Sequence, residues 1–344
     1  MGVITLEERY IKQINFNGIG KAGQEKLNMG RVLIIGCGAL GTVVANSLAR
    51  TGVGFIRIVD RDYVEVSNLH RQILFDELDA EKSVPKVEAA KAKLKKVNSL
   101  IEVEAIIKDV NSITIEKMVE NIHIIIDCTD NFKTRFLIND ISFKSKIPWI
   151  YGGAIGSTGV VKSFIPGKTG CFRCMLEAPP PAGTFPTCDT AGVINTTTGM
   201  VGMLQANEAI KYLAGKENEM DNKMVYFDLW ENTFERIELR EKKACKCCKS
   251  NMYQYLDDKE PQVLHMCGNN SLQVDPHGGK GKISLKELHK RLSSAGIMVK
   301  LTPFLLNIEV EGYEIKVFDD GRAIIKNAST TEEAMGVYSR YIGY

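Results

Sequence analysis

Three groups of residues have the types and spacing to do chemistry. The first is Gly36-Cys37-Gly38-Ala39-Leu40-Gly41, a G-x-G-x-x-G loop directly after the apolar run Arg31-Val32-Leu33-Ile34-Ile35. Such a loop lets backbone N–H groups at a helix N-terminus approach phosphate closely, and Asp60, closing the next strand, can accept hydrogen bonds from a ribose hydroxyl. Its competing reading is tight helix–sheet packing alone. The second group adds charge: Ser67-Asn68-Leu69-His70-Arg71-Gln72, Pro85-Lys86-Val87 and Cys128-Thr129-Asp130-Asn131. Two cations and an amide converging on one phosphate loop suit a triphosphate better than a dinucleotide diester. A carboxylate beside phosphates is a magnesium ligand, although Asp130 is also placed to cap a helix. The third group is Cys171-Phe172-Arg173-Cys174 with Cys245-Lys246-Cys247-Cys248. Four thiolates complete a tetrahedral zinc shell and leave no position for a substrate, so this site reads as a structural staple. Spacing favours Cys171, Cys174, Cys245 and Cys248 and leaves Cys247 spare. A redox reading is weaker, because neither pair opens a helix after a strand.

The elements that must position these groups alternate. A polar helical arm fills the first 30 residues and ends at Gly30. A strand, the glycine turn, a helix to about Arg50 and a second strand, Phe55 to Asp60, form a βαβ unit. Strands without polar alternation predict a sheet covered on both faces. A helix follows over Pro85–Asn98, then strands at Ile101–Ile107 and Ile122–Cys128, and a helix over Phe132–Lys146. A β-rich stretch runs from Trp149 to about Pro166. A loop rich in Pro and Gly precedes a helix from about Thr197 to Leu213, and strands near Met224–Asp228 and Phe234–Leu239 lead to the second cysteine cluster. The fold class is therefore α/β, a Rossmann-like doubly wound sheet over residues 1–250. Residues 251–261 read as a polar linker. Residues 262–344 read as a small α+β domain: a strand (Gln262–Val274), a helix (Ser284–Ser294), three strands and a final helix (Thr331–Tyr341). Asp320-Gly321 marks a hairpin between Tyr313–Phe318 and Ala323–Lys326.

The totals exclude several classes. Among 344 residues, 44 Lys plus Arg nearly balance 42 Asp plus Glu, which leaves no basic footprint for nucleic acid or a membrane surface. No apolar run approaches the roughly 20 residues of a membrane span, and the acidic N-terminus does not suit a signal peptide. We expect a cytoplasmic protein. Cys37 and Cys128 lie in apolar runs and read as buried, inert thiols.

Taken together, these motifs resemble the ThiF/MoeB/HesA family, the bacterial relatives of ubiquitin-activating enzymes. The resemblance covers roughly residues 5–250 and adds the arm Arg9-Tyr10-x-x-Gln13-Ile14 and Thr187-Cys188-x-x-x-Gly192-Val193. It implies a homodimer with a continuous sheet, ATP and magnesium, structural zinc, and a ubiquitin-like sulfur-carrier partner ending in Gly-Gly, with a sulfur donor such as a cysteine desulfurase. Carried over, Asp60 would hold the ribose, Asn68, Arg71 and Lys86 the phosphates, and Asp130 the magnesium, while Cys188 would link covalently to the carrier or be a harmless loop thiol. Two positions depart from the family: Ala39 where a glycine is usual, and Lys12 where an arginine usually reaches the neighbouring subunit's ATP site. A lysine keeps the charge and loses the bidentate fork. The C-terminal region resembles an extension found on some bacterial relatives, where Cys267 invites a sulfur-relay reading beside a buried-strand one. Competing functions are a relative that activates a non-protein substrate such as a tRNA base, a non-catalytic binder of a ubiquitin-like partner, and a dehydrogenase.

Overall fold

The computed structural model describes residues 6–180, 191–257, 262–266, 271–275 and 281–343, with no side-chain description for Leu6 or 262–266. The chain divides into two compact units, Met1–Asp257 and Asp258–Tyr344.

Unit 1 is built on an eight-stranded sheet of order β3-β2-β1-β4-β5-β6-β7-β8. Its strands are β1 (Arg31–Ile35), β2 (Phe55–Val59), β3 (Glu102–Ile106), β4 (Ile124–Asp127), β5 (Trp149–Ile155), β6 (Thr158–Phe164), β7 (Met224–Asp228) and β8 (Thr233–Ile237). Strands β1 to β5 pair in parallel, and β6 to β8 continue the sheet antiparallel. The lack of polar alternation in β1 has a direct cause. Val32 and Ile34 join one core and Leu33 and Ile35 the other, all four essentially inaccessible to water. The first core includes α2 (Gly20–Met29), α3 (Ala39–Thr51), α4 (Lys86–Val97) and α6 (Asn195–Leu213); the second includes α5 (Phe132–Ser145). The N-terminal arm is two helices, α1 (Leu6–Ile14) and α2, rather than one run.

From β1 the chain moves outward to β2 and β3, then returns to β4 on β1's other side. That reversal opens a crevice at the carboxyl ends of β1 and β4, where ligands of such sheets bind.

Residues 251–257, read as linker, instead pack on unit 1. Tyr253, Tyr255 and Leu256 join the second core, and the Tyr255 N–H donates to Asp140 at 3.0 Å.

Unit 2 is a six-stranded antiparallel sheet, order β11-β12-β13-β14-β10-β9, with α7 (Leu285–Ser294) and α8 (Thr331–Tyr341) packed into its core. The stretch expected as one strand from Gln262 is two, β9 (Gln262–Met266) and β10 (Ser271–Asp275), paired antiparallel. The turn formers Gly268, Asn269 and Asn270 lie between them in sequence. Four strands, not three, separate the helices: β11 (Met298–Leu301), β12 (Leu305–Val310), β13 (Tyr313–Phe318) and β14 (Ala323–Lys326). Pro303 lacks an amide donor, and the Thr302 hydroxyl accepts from the Phe304 and Leu305 N–H groups, turning the chain where one strand was expected. The Asp320-Gly321 hairpin is present, with Gly321 at φ 86°.

Candidate functional site

The glycine loop sits in the crevice because two of its members have no side chain. Gly36 adopts φ 94°, and a Cβ there would stand 2.6 Å from the Cys128 carbonyl oxygen; one on Gly41 would stand 2.0 Å from the Gly36 oxygen. The loop after β1 is thereby pressed against the loop after β4, and Gly38 caps α3. Ala39, the departure from the family pattern, takes the first helical position.

Asp60 is held by this loop. Its carboxylate accepts the Cys37 N–H at 2.6 Å and the Asp62 N–H at 2.8 Å, while burial raises its pKa despite the nearby Lys86. A bridge between Tyr63 and Pro85 brings the start of α4 alongside, so Lys86 donates its N–H to the Asp62 carbonyl at 2.9 Å and its ammonium to the Asp62 carboxylate at 3.0 Å. Burial works against the Lys86 charge, but Asp62, Asp60 and Asp130 outweigh it and hold the ammonium above the usual lysine range.

Asn68 closes the 3-10 turn Val66–Asn68. Its side chain accepts the Glu65 N–H at 3.2 Å, and its carbonyl takes the Arg71 and Gln72 N–H groups at 3.1 and 3.0 Å. The turn places Gln72 against the glycine loop: its amide nitrogen would lie 3.8 Å from a Cβ at Gly38. Gln72 is 3% exposed, and its Oε1 has no partner among the described residues. Arg71 rides on the same turn, bonded to the Ser67 carbonyl at 3.0 Å.

The loop after β4 separates two aspartates. Asp127 is fully buried; its Oδ1 accepts from the Thr129 N–H and hydroxyl at 2.9 and 2.6 Å, and its Oδ2 lies 3.4 Å from Arg135 Nε. Arg135 also donates to the Thr129 carbonyl at 2.7 Å and lies over the Tyr151 ring. Asp130, by contrast, is exposed and makes no hydrogen bond or ion pair among the described residues. The capping role belongs to Asn131, whose side chain accepts the Thr134 N–H at 2.9 Å. The carboxylate of Asp130 is left at the crevice within the field of Arg61, Lys86 and Arg135.

The structure does not bring Lys12 to this group. Helix α1 is docked by Tyr10, whose ring abuts Gly52, and by Gln13, which donates to the Thr51 carbonyl at 2.9 Å. Both contacts lie at the C-terminal end of α3, about 20 Å from the loop at its other end. Lys12 itself is exposed. Cys188 and Cys267 lie outside the described residues.

In the cysteine cluster, the sulfurs of Cys171, Cys174, Cys245 and Cys248 all lie within 4.8 Å of one another, with 3.5 Å between Cys171 and Cys245 and 3.6 Å between Cys174 and Cys248. Four sulfurs at about 2.3 Å from one tetrahedral ion stand about 3.8 Å apart, which fits. As bare thiols, Cys174 and Cys248 are pushed up to about 12, the first foremost by its hydrogen bond with Cys171 and the second foremost by burial. Cys247 is buried and takes the Asn139 amide N–H at 3.2 Å. Asn139 also accepts the Phe172 N–H at 2.8 Å, gripping both halves of the cluster from α5.

Sequence reasoning missed Asp62, Arg135 and Asn139. Asp62 had a signal, lying two residues past the strand-closing Asp60. Arg135 and Asn139 looked like ordinary helix residues.

The profile of the ThiF family matches residues 10–249. The chain belongs to the ThiF family. Other similarities agree with that placement of the ThiF-family chain. It is 38% identical over 340 residues to the sulfur carrier protein ThiS adenylyltransferase of Bacillus subtilis, covering 97% of this chain and 99% of that one. It is 34% identical over 246 residues to the sulfur carrier protein adenylyltransferase of Thermus thermophilus, covering 70% and 90%. Adenylyltransferase and sulfurtransferase MOCS3 of Aedes aegypti is 37% identical over 71% of this chain, which spans about half (55%) of that relative's length. Among solved structures, E. coli MccB with ATP matches at a TM-score of 0.62 and 25% identity, over 72% of this ThiF-family chain and 74% of MccB.

Proposed function

We propose that this ThiF-family enzyme uses ATP to adenylate the C-terminal carboxylate of a ubiquitin-like sulfur-carrier protein. Full-length similarity to a ThiS adenylyltransferase supports the activity. The single observation that carries the site is the Asp130 carboxylate, which has no hydrogen bond or ion pair among the described residues and stands in the field of Lys86 at the crevice of the glycine loop.

A carboxylate oxygen of the carrier attacks the α-phosphorus of ATP. The new O–P bond forms the acyl-adenylate, and the bond to the β-phosphate breaks to release pyrophosphate. The carboxylate is already ionised at neutral pH, so no general base is needed; the protein's work is positioning and charge neutralisation. In this reading Asp60 accepts from the ribose, and the glycine-loop N–H groups face phosphate. Lys86 exchanges part of its pairing with Asp62 for phosphate oxygens, joined by Asn68, Arg71 and Gln72. Asp130 would hold magnesium, which supplies charge to the phosphates when bound. Cys171, Cys174, Cys245 and Cys248 would hold structural zinc, supported by their sulfur spacing. The distance of Lys12 from its own loop supports a homodimer in which each arm serves the partner's site. Such chemistry draws on ATP and a sulfur donor such as a cysteine desulfurase, which favours the cytoplasm.

The test is ATP–pyrophosphate exchange driven by a Gly-Gly-tailed carrier. Asp130→Ala abolishes magnesium-dependent exchange, and Arg71→Ala lowers it by about 10²–10³-fold, the usual size for one lost charge-stabilising donor. Exchange at the parent rate in either variant moves the site elsewhere. For Cys188, a covalent role requires that Cys188→Ser keep exchange near the parent rate while losing any thiol-sensitive enzyme–carrier adduct, since the thiolate attacks only after the adenylate exists.

A further inference from the structure

Residues Cys128 to Asn131 join β4 to α5, and each except Asp130 is tied down. The Cys128 N–H donates to the Ile35 carbonyl at 2.8 Å. Thr129 is held by its N–H, its hydroxyl and its carbonyl. Asn131 caps α5. Asp130 has no hydrogen bond or ion pair among the described residues, so where its carboxylate can reach is set by what holds Thr129.

Buried Arg135, in the first turn of α5, governs that holding. Its Nη2 donates to the Thr129 carbonyl at 2.7 Å, and its Nε stands 3.4 Å from Asp127 Oδ2, an ion pair without a hydrogen bond. The other oxygen of Asp127 accepts the Thr129 N–H and hydroxyl. Arg135, Asp127 and Thr129 thus close a ring of contacts around the residue that precedes Asp130. The Phe132 and Tyr151 rings lie 5.4 and 5.1 Å from the guanidinium carbon. From α6, Gln205 donates to the Asp127 carbonyl at 2.6 Å and pins the end of β4. Burial pushes the Asp127 carboxyl up, and Arg135 is the foremost group opposing it. A buried ion pair adds little stability over apolar groups of the same size. A planar fork that bonds one group and faces another does fix geometry.

We infer that Arg135 is a positioning residue for magnesium: acting through Thr129, it aims the Asp130 carboxylate at the metal that accompanies ATP. The inference rests on the adenylation reading, which gives Asp130 to magnesium. Arg135 is not itself a ligand. A lysine in its place keeps a charge beside Asp127 and loses the fork, which separates geometry from charge.

Calorimetric titration of the full-length protein with α,β-methylene-ATP, with and without magnesium, tests this without turnover. In the parent, magnesium tightens nucleotide binding. Arg135→Lys weakens the magnesium-bound complex by about 10–100-fold, the usual effect of losing a group that orients a metal ligand. Metal-free binding stays at the parent value, because Asp60 and Lys86 are untouched. Asp130→Ala removes the tightening, and adding Arg135→Lys to it costs nothing further, since position 135 acts only through the aspartate. A purely structural role would weaken both binding modes and add to the loss in Asp130→Ala. If Arg135→Lys does not fold, Arg135→Met combined with Asp127→Leu replaces both buried charges by apolar groups and carries the same expectation. Full magnesium tightening in the folded variant, or additive losses in the double variant, overturns the positioning role alone. No magnesium effect in the parent overturns the reading of Asp130 and this inference with it.

Discussion

Between about pH 8 and 10.5, folded Lys162 binds fewer protons than its unfolded counterpart, because burial depresses its pKa from 10.5 to about 8. Stability therefore rises with pH across that window, and the full penalty applies below it. At 1.36 kcal/mol per unit the penalty is about 3 kcal/mol, and the lost bond to the Asn222 carbonyl returns about 1 kcal/mol of it. Lys162→Met should accordingly stabilise the chain by about 2 kcal/mol at pH 7, with the gain gone above about pH 10. Urea unfolding at the two pH values measures this; destabilisation at pH 7 would mean that Asp221 and Glu208 fully compensate the buried charge. The two aspartates after β4 make a related contrast. Asp127 is consumed by Arg135 and Thr129, whereas Asp130, three residues on, has no hydrogen bond or ion pair among the described residues, and Asn131 takes the cap.

At the scale of elements, the cysteine cluster ties the short helix Phe172–Met175 to the turn around Cys245–Cys248, with α5 supplying Asn139 between them. Structural zinc contributes folding energy outright, so Cys171→Ala and Cys248→Ala should each lose the metal and unfold at markedly lower denaturant. Cys247→Ala should keep about one zinc per chain, since that sulfur faces Asn139. Metal analysis of the three purified variants decides the assignment. Zinc lost from Cys247→Ala and kept in Cys248→Ala would exchange the roles of those two cysteines.

Across the whole molecule, every described residue of the proposed nucleotide site belongs to unit 1. A chain ended at Asp257 should then exchange pyrophosphate at the parent's rate; collapse of exchange in a folded truncation would give unit 2 a part in adenylation. The arm makes a second prediction. If Lys12 serves the partner's site, mixing Lys12→Ala with Asp130→Ala should restore activity that neither has alone, because a mixed C2 dimer contains one complete site. Random reassortment limits the recovery to about a quarter of the parent rate. Failure to complement, with mixed dimers shown to form, would mean that Lys12 has no role in trans.

By itself the sequence determined those features that depend on neighbours along the chain. These are the strand–glycine–helix unit at Gly36–Gly41, the strand-ending aspartates, the C-x-x-C pairs, and the Asp320-Gly321 hairpin, whose positive φ needs glycine. It also determined the two-faced burial of β1, because an unbroken apolar strand has no side to turn to water. Tertiary structure decided the rest. Asn131 rather than Asp130 caps α5, Cys247 turns to Asn139, Lys12 lies far from its own loop, and Lys162 is buried. Each outcome depends on which groups from distant segments reach a side chain first, and periodicity along one strand or helix carries no record of that.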